Sequence, residues 1–598
     1  MAKLVKVKVE LEDGTELNQC DYLLIEQDLF GHHTFELHVP FEELEKPDEL
    51  FFNQSPRNLC GKTIRFSFDP VLDDESFSFR FKGIVTDLNL KNTSRLSNRF
   101  IIRGYSPTIL LEDSRLRRTF LGQNIQSIAN KVFDPYPSNL IRKTIQPRHS
   151  DSLPYSVQYD ETNFAFLSRL AAQHGEWCYY DGQQLVFGEP KGQSIDFLVD
   201  GTQTFDMSLR LMPTRFLYSS YDYRADQRYE SHSKDQSVSG LGQWGDFTLD
   251  ESDKAFSQES QLPATKPVHS QQELDSLAKT RKIAETTQLI DFRGTGENPD
   301  LTVGTVVKVK ANRITERGES EENLGNYRVT HVTHQVDSSG NYSNTFRAVP
   351  ESVDGPPPNS NVANPLGQPE IAKVIDNQDP DKLGRVKVEF MWAGDAKESD
   401  WIRVAHPYTG AGMGMLFVPE EDSQVMIGYE GNLAELPFVL TGLYPKNDNF
   451  SYTSRDNTQK IIKTKGGNQI ELIDKDGEQK IQITNDNQTD TRLLLSFSDN
   501  GSITLETQGP VKIAGRDIEV KASNDLTLEA QSNLVLKATQ KIAIEGQIEV
   551  TIKTAQFAAK ADATAELKAN GQTTVEGTQT SVKGNALVEV KGALVTIN

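Results

Sequence analysis

Hydrophobic residues recur with unusual regularity over the last eighty residues of this 598-residue chain. From Asp517 the sequence runs DIEVKASN, DLTLEAQS, NLVLKATQ, KIAIEGQI, EVTIKTAQ, five eight-residue units on one template. The second and fourth positions are apolar: Ile518/Val520, Leu526/Leu528, Leu534/Leu536, Ile542/Ile544 and Val550/Ile552. Spacing by two is strand alternation and puts each pair on one face. A fixed period marks a solenoid or fibre, in which a unit buries its apolar face only against its neighbours. Lys521, Glu529, Lys537 and Glu545 alternate in sign on the remaining positions, as suits the outside of a soluble rod. After Arg516 there is one aromatic, Phe557, and no proline, tryptophan or cysteine. One short strand per repeat leaves a lone chain with two open edges. The expectation is one third of an intertwined trimeric β-helix whose core is those ten apolar residues. A single-chain β-solenoid is the alternative, although solenoids need longer coils or six-residue units.

Upstream the rhythm changes several times. Residues 1–110 alternate (KLVKVKVEL, FRFKGIVTDLNL, RFIIRGYS) and read as strands. LGQNIQSIANKVF and NFAFLSRLAAQHG have helical spacing, with Gly175 ending the second, and WCYYDGQQLVFGEP reads as a hairpin over Asp181-Gly182. Strands return from 205 to 350, interrupted by a helix over 272–288. The proline-rich stretch 351–370 reads as a linker. Five short strands over 371–444 suggest a Greek-key barrel of the OB type. The expected fold is mainly β: a region 1–350 with two β-barrels and short helices, the linker 351–370, an OB domain 371–445 and a spike 446–598.

Composition narrows the function. With 85 acidic against 63 basic residues the net charge is −22, which opposes wrapping nucleic acid or adhering to anionic membranes. Cys20, Cys60 and Cys178 are dispersed and odd in number, as in a reduced cytosolic protein. Met1 leads straight into an alternating strand without an apolar signal core, and no run approaches a membrane span. These features predict synthesis in the cytoplasm and export, if any, by a dedicated machine.

Dispersed motifs carry a more specific resemblance. They are Phe81-Lys-Gly83-Ile-Val85, Gly104-Tyr105-Ser-Pro107, Arg118-Thr-Phe120, Gln158-Tyr159-Asp-Glu161-Thr162 and the FLSRL run within Phe164–Leu170, with Gly175 after it. Further on come Asp379-Pro380 through Val388, Trp401-Ile-Arg403-Val404-Ala405, Gly414-Met415, Pro419 and Leu436–Tyr444. In this order, followed by octads, they resemble the VgrG spike of type VI secretion systems, itself similar to the fused hub and puncturing spike of contractile phage tails. Glu420-Glu421-Asp422-Ser423 and Glu430-Gly431-Asn432 depart from the family pattern and suggest a divergent branch. The resemblance implies a homotrimer seated on baseplate proteins and on a hexameric tube protein, carrying effectors. It implies a PAAR-repeat tip protein, transient contact with the target membrane, and secretion on sheath contraction. A free extracellular injection particle or a phage tail is the alternative reading.

Catalytic and ligand-binding motifs carry little. Gly61-Lys62-Thr63 lacks the upstream glycine and following helix of a phosphate loop, and Gly410-Ala-Gly412-Met-Gly414 lacks dinucleotide spacing. His32-His33 and His331/His334 project to opposite faces of a strand and do not suit a shared metal. Glu42, Glu43 and Glu45 read as solvated surface. No catalytic residue, cofactor or metal is expected, nor an appended effector domain. A trimeric adhesin predicts an aromatic-rich tip, and a carbohydrate-active β-helix predicts paired carboxylates among aromatics; the sequence offers neither. The octad spacing frays after Phe557, since Val582 follows Val575 by seven, and VEVKGALVTIN restores a β-prone ending. Exposed apolar ends aggregate, so Leu594, Val595, Thr596, Ile597 and Asn598 are the expected platform for the tip protein.

Overall fold

The computed structural model describes residues 3–46, 52–71, 77–94, 97–190, 192–199, 202–315, 318–446 and 455–597, in two units divided near residue 453. The first unit is built on a closed ring of eight antiparallel strands. In ring order these are Lys3–Leu11, Thr63–Pro70, Arg80–Ser94, Ser97–Tyr105, Thr34–Pro40, Tyr22–Asp28, Gly318–Val336 and Asn341–Pro350, which pairs back to the first. Alternation sends Val5, Val9, Leu23, Ile25, Phe35, Phe66, Phe81 and Phe100 into a dry interior. Gly104 is required there, because a Cβ would lie 1.9 Å from the Ile84 carbonyl oxygen and 2.7 Å from the Phe35 ring.

Gly318–Val336 and Asn341–Pro350 are shared with a second sheet. It runs Ser194–Val199, Val306–Thr315, the two shared strands, Ile290–Gly296 and Thr204–Leu209. It curls over its own core of Phe197, Phe292, Val307, Tyr327, Val329 and Phe346. Among the described residues its end strands do not pair with each other. The two expected barrels are therefore one closed barrel and one open half-barrel joined along two strands.

Two lobes are inserted. Asn124 accepts from the Ser127 amide to start the helix Ile125–Phe133, and Thr162 does the same through Ala165 for Asn163–His174. Gly175, at φ 68°, ends the latter in the left-handed conformation. Their apolar faces pack on the hairpin Trp177–Tyr180/Leu185–Gly188. The second lobe carries the expected helix, Gln271–Thr287, and one the pattern missed, Gly242–Ala255, in which only Gly245, Thr248 and Ser252 are buried. The stretch 351–369 contains no helix or strand, yet it is docked: Arg328 bonds Glu351, Arg148 bonds Asp354, and Val353 is buried beside Leu241 and Ile283. Glu45 corrects the solvated reading. It is buried and accepts from the amides of Asn53, Gln54 and Ser55 and from the Ser55 hydroxyl. Burial alone would raise its pKa, but these donors hold it at about 2.

The OB barrel pairs Lys387–Phe390, Glu370–Asp376, Gln424–Tyr429 and Pro437–Leu443 in that order. Single bridges Val386–Ile402 and Val404–Val439 close it. The loop between its first two strands is tied by Asp379, which accepts from the Asp381, Leu383 and Arg385 amides and from the Arg385 guanidinium. That explains why the DPDKLGR motif has its acid and base six apart.

The second unit opens with a five-stranded antiparallel meander: Gln459–Lys463, Asn468–Ile473, Lys480–Asn485, Arg492–Ser496 and Ser502–Glu506. Its register aligns Ile462, Ile470, Ile483, Leu493 and Leu505 in one row across all five strands. Beyond it the chain is extended and bends at 508–509, 516–517, 523–524, 531–532, 539–540, 547–548, 555, 562–563, 570–571, 578–579, 585–586 and 593–594. The fraying after Phe557 is thus confined to side chains, while the backbone keeps a step of seven or eight to the last bend.

His33 and His334 lie fully buried in the closed barrel. Among the described residues, neither ring nitrogen of His33 has a hydrogen-bond partner, and His334 bonds the Tyr342 hydroxyl through Nδ1 at 2.7 Å while its Nε2 has none. Burial pushes both imidazoles from 6.5 down to about 3. Their contribution to stability is complete above pH 6.5. Below it the unfolded chain takes up a proton at each site and the folded chain does not, so stability falls by about 1.4 kcal/mol per pH unit for each histidine until about pH 3. The melting temperature of the first unit should therefore drop steadily from pH 7 to pH 4, and His33→Phe should flatten that slope. An unchanged slope in His33→Phe would show that His33 is not the titrating group.

Candidate functional site

Two places in this fold stand out: the junction with the OB barrel and the extended repeat. At the junction, the antiparallel pair Arg115–Asn124/Ser152–Thr162 contributes Val157 and Tyr159 to the OB barrel's own hydrophobic cluster. Tyr159 stands edge-on to Trp392 and Tyr429, with centroids 5.8 and 6.0 Å away. The Thr119 amide donates to the Ala396 carbonyl at 2.9 Å. Arg117 pairs with Asp160 and Glu370 while lying over the Tyr159 ring. Glu370 in turn accepts from Trp392 Nε1 and the Tyr429 hydroxyl.

Beneath this lies Arg169, 1% exposed. Its guanidinium makes a two-pronged bond to Glu161 at 2.7 and 2.8 Å, a third to Glu435 of the OB barrel at 2.8 Å, and a fourth to the Val157 carbonyl at 2.6 Å. Burial opposes its charge, but Glu435 and Glu161 outweigh that and raise its pKa further. A charge this deep persists only because nearly every donor is used. Arg118 bonds Gln158 and Asn163, and Asn163 bonds the Tyr136 hydroxyl. The motifs around Arg118, Gln158–Thr162 and FLSRL therefore converge here. Sequence reasoning singled those motifs out but missed the joint they make. The available signal was Arg169 itself, a charge set among Phe166, Leu167, Leu170 and Ala171 on the apolar face of a helix.

The predicted repeat residues lie elsewhere and do not meet. Ile518, Val520, Leu526, Leu528, Leu534, Leu536, Ile542, Ile544, Val550 and Ile552 are all more than half exposed. Every described residue from 508 to 597 is exposed, and no backbone hydrogen bond joins any two of them. Leu594 is 86% and Ile597 89% exposed; Val595 and Thr596 are exposed too, while Asn598 lies outside the described residues. His32 bonds Thr108 and Glu112, apart from the buried His33, and His331 faces Asp28 while His334 points inward. Among the described residues no three His, Cys, Asp or Glu side chains are placed to hold a metal, and no helix is long and apolar enough to cross a membrane.

Comparison with known proteins matches this architecture. Residues 53–340 match the family described as the phage tail baseplate hub (GPD). Residues 370–444 match the type VI secretion system/phage-baseplate injector OB domain. The chain therefore belongs to the class of baseplate hubs fused to an injector OB barrel. Within that class its curated relatives are VgrG spike proteins of type VI secretion systems. It is 24% identical over 422 residues to the type VI secretion system spike protein VgrG5 of Pseudomonas aeruginosa, covering 61% of this chain and 51% of that one. It is 22% identical over 498 residues to VgrG1a of the same organism, covering 75% and 72%. The chain thus spans about half the length of VgrG5. Among solved structures, the fold is similar to chains of the Francisella PdpA–VgrG complex. The lidded form gives a TM-score of 0.55 at 9% identity over 84% of this chain and 80% of that one, and the lidless form 0.54 at 8% over 85% and 98%.

Arg169→Ala should destabilise the first unit by roughly 3–5 kcal/mol, because it strands two buried carboxylates. Glu435→Gln should cost less, since Glu161 still neutralises the guanidinium. Urea unfolding together with proteolysis of the 351–369 segment reads both effects; equal stability of Arg169→Ala and the parent would remove the triad from its structural role.

Proposed function

We propose that the chain is the trimeric hub and spike of a contractile injection apparatus of the type VI kind, acting mechanically. The observation that carries this reading is the repeat. It is regular in both backbone and sequence, rich in aliphatics, and makes no contacts of its own that could hold it in that shape. Burying a Leu or Ile gains about 1.5–3 kcal/mol, and the extended backbone needs pairing partners. Two further copies wound about one axis supply both. The meander's apolar row of Ile462, Ile470, Ile483, Leu493 and Leu505 asks for the same cover.

In this reading the barrel and half-barrel of three copies form a ring of six similar elements, able to seat a hexameric tube protein on baseplate proteins. The OB barrels narrow the assembly, and the needle passes axial thrust to the target envelope. Leu594, Val595, Thr596, Ile597 and Asn598 form the platform for a PAAR-repeat tip protein, and effectors travel with the complex. The protein is made in the cytoplasm, assembled on the baseplate and expelled when the sheath contracts.

Sedimentation of the full chain should give about three times 66.9 kDa. A folded monomer that includes residues 458–598 would exclude the intertwined needle. Leu534→Asp places three carboxylates around one axis, where burial and mutual repulsion oppose ionisation, so assembly should fail or its heat resistance should fall sharply. Lys537→Asp should be mild, and equal effects at both positions would contradict the assigned faces.

The tip assignment is tested by deleting 594–598. The truncated protein should remain trimeric and lose its PAAR-repeat partner in co-purification. Unchanged affinity would place the docking surface elsewhere.

A further inference from the structure

The outer face of the sheet that joins the two barrels carries two registered rows of side chains. One crosses five strands as Asp206–Arg293–Arg347–His331–Asp28. The next, two residues along each strand, reads Thr204–Thr295–Thr345–Thr333. The alternate positions, Phe205, Phe292, Phe346 and Val332, pack in the core, so the pleat turns both rows outward. A concavity of about 740 Å³ lies over this face. It is lined by all five members of the first row and by Thr204, Thr295 and Thr345, with Pro357 among its other lining residues.

The charge sequence of the first row is peculiar. Arg293 and Arg347 are direct cross-strand neighbours, an arrangement that like charges make unfavourable. Arg293 is drawn aside by Asp291, which it bonds at 2.8 and 3.0 Å. His331 is engaged by Asp28 at 3.3 Å. Arg347, exposed at the centre of the row, has no ion-pair or hydrogen-bond partner for its guanidinium among the described residues, although carboxylates stand at both ends.

We propose that this face docks a partner polypeptide through an Asp or Glu side chain received by Arg347, with the threonine hydroxyls bonding the flanking backbone. A guanidinium binds a carboxylate in a two-pronged geometry, and a cleft of this volume is ample for a few residues of extended chain. Carboxylates two residues apart on such a chain are about 6.6 Å from each other, against about 4.8 Å between neighbouring strands, a difference that the long arginine side chain spans, so a second one can reach Arg293. The bracketing Asp206 and Asp28 select against a long polyanion, which would meet negative charge at both ends of the row. The net charge of −22 acts in the same direction against nucleic acid.

The test uses the purified full-length chain and two fluorescent peptides, Gly-Thr-Glu-Thr-Glu-Thr-Gly and the same sequence with Gln for Glu, read by anisotropy at low salt. The Glu peptide should bind at least tenfold more tightly than the Gln peptide, and Arg347→Ala should abolish that difference without moving the melting temperature. In Arg347→Lys, a carbodiimide should couple the lysine amine to a peptide carboxyl as an amide, with loss of one water, and mass spectrometry should find the adduct at position 347. Equal affinity for the two peptides, including no binding of either, overturns the proposal. So does a Glu-peptide preference that survives Arg347→Ala, or a twelve-residue oligothymidylate that binds more tightly than the Glu peptide and is lost in the same variant.

Discussion

Every strand carries two rows of backbone donors and acceptors, and the whole architecture follows from where each row finds its partner. In the first barrel the ring closes, so its eight strands have no free edge. Gly318–Val336 and Asn341–Pro350 make this possible twice over, because each is long enough to pair within the ring and also carry the half-barrel beyond it. The OB barrel closes more economically, through two single bridges. Among the described residues from 508 to 597, no backbone hydrogen bond joins any two. The requirement that the first unit meets within itself is left unmet along the described repeat.

The joint between the inserted lobe and the OB barrel has a different solution. One backbone bond crosses it, from the Thr119 amide to the Ala396 carbonyl, and side chains do the rest of the joining. Tyr159 fills the OB cluster, and Arg169 ties Glu161 on its own lobe to Glu435 across the joint. An apolar contact alone would tolerate sliding. A buried guanidinium with fixed donors tolerates one geometry, because any shift strands a carboxylate at a cost of several kcal/mol. The orientation of the two barrels is thus set by polar groups, while most of the burial energy comes from aromatic ones.

Much of this was legible in the sequence, for identifiable reasons. The helices Asn163–His174 and Gln271–Thr287 showed apolar periodicity together with a cap or a stop. Gly242–Ala255 did not, because its buried positions are Gly245, Thr248 and Ser252, while Trp244 and Phe247 face outward. Glu45 looked like surface because its amide donors lie eight to ten residues further on, in a loop no local pattern connects to it. The joint at Arg169 was invisible for the same reason on a larger scale: Glu435 is 266 residues away.

The repeat carries a second pattern beside the aliphatic pairs, one that runs further along the chain. Counting large aliphatics makes the period fade after Phe557, where Ala559 and Thr573 take their places. The bends continue regardless. Just before ten successive bends stands a charged residue followed by a small one: Lys521-Ala, Glu529-Ala, Lys537-Ala, Glu545-Gly, Lys553-Thr, Lys560-Ala, Lys568-Ala, Glu576-Gly, Lys583-Gly and Lys591-Gly. A bend needs little side-chain bulk beside it, and a solvated charge fixes which face turns outward. Those two demands come from the backbone path and hold at each of these ten bends. The size of the aliphatic pair is not tied to the bends and varies from repeat to repeat.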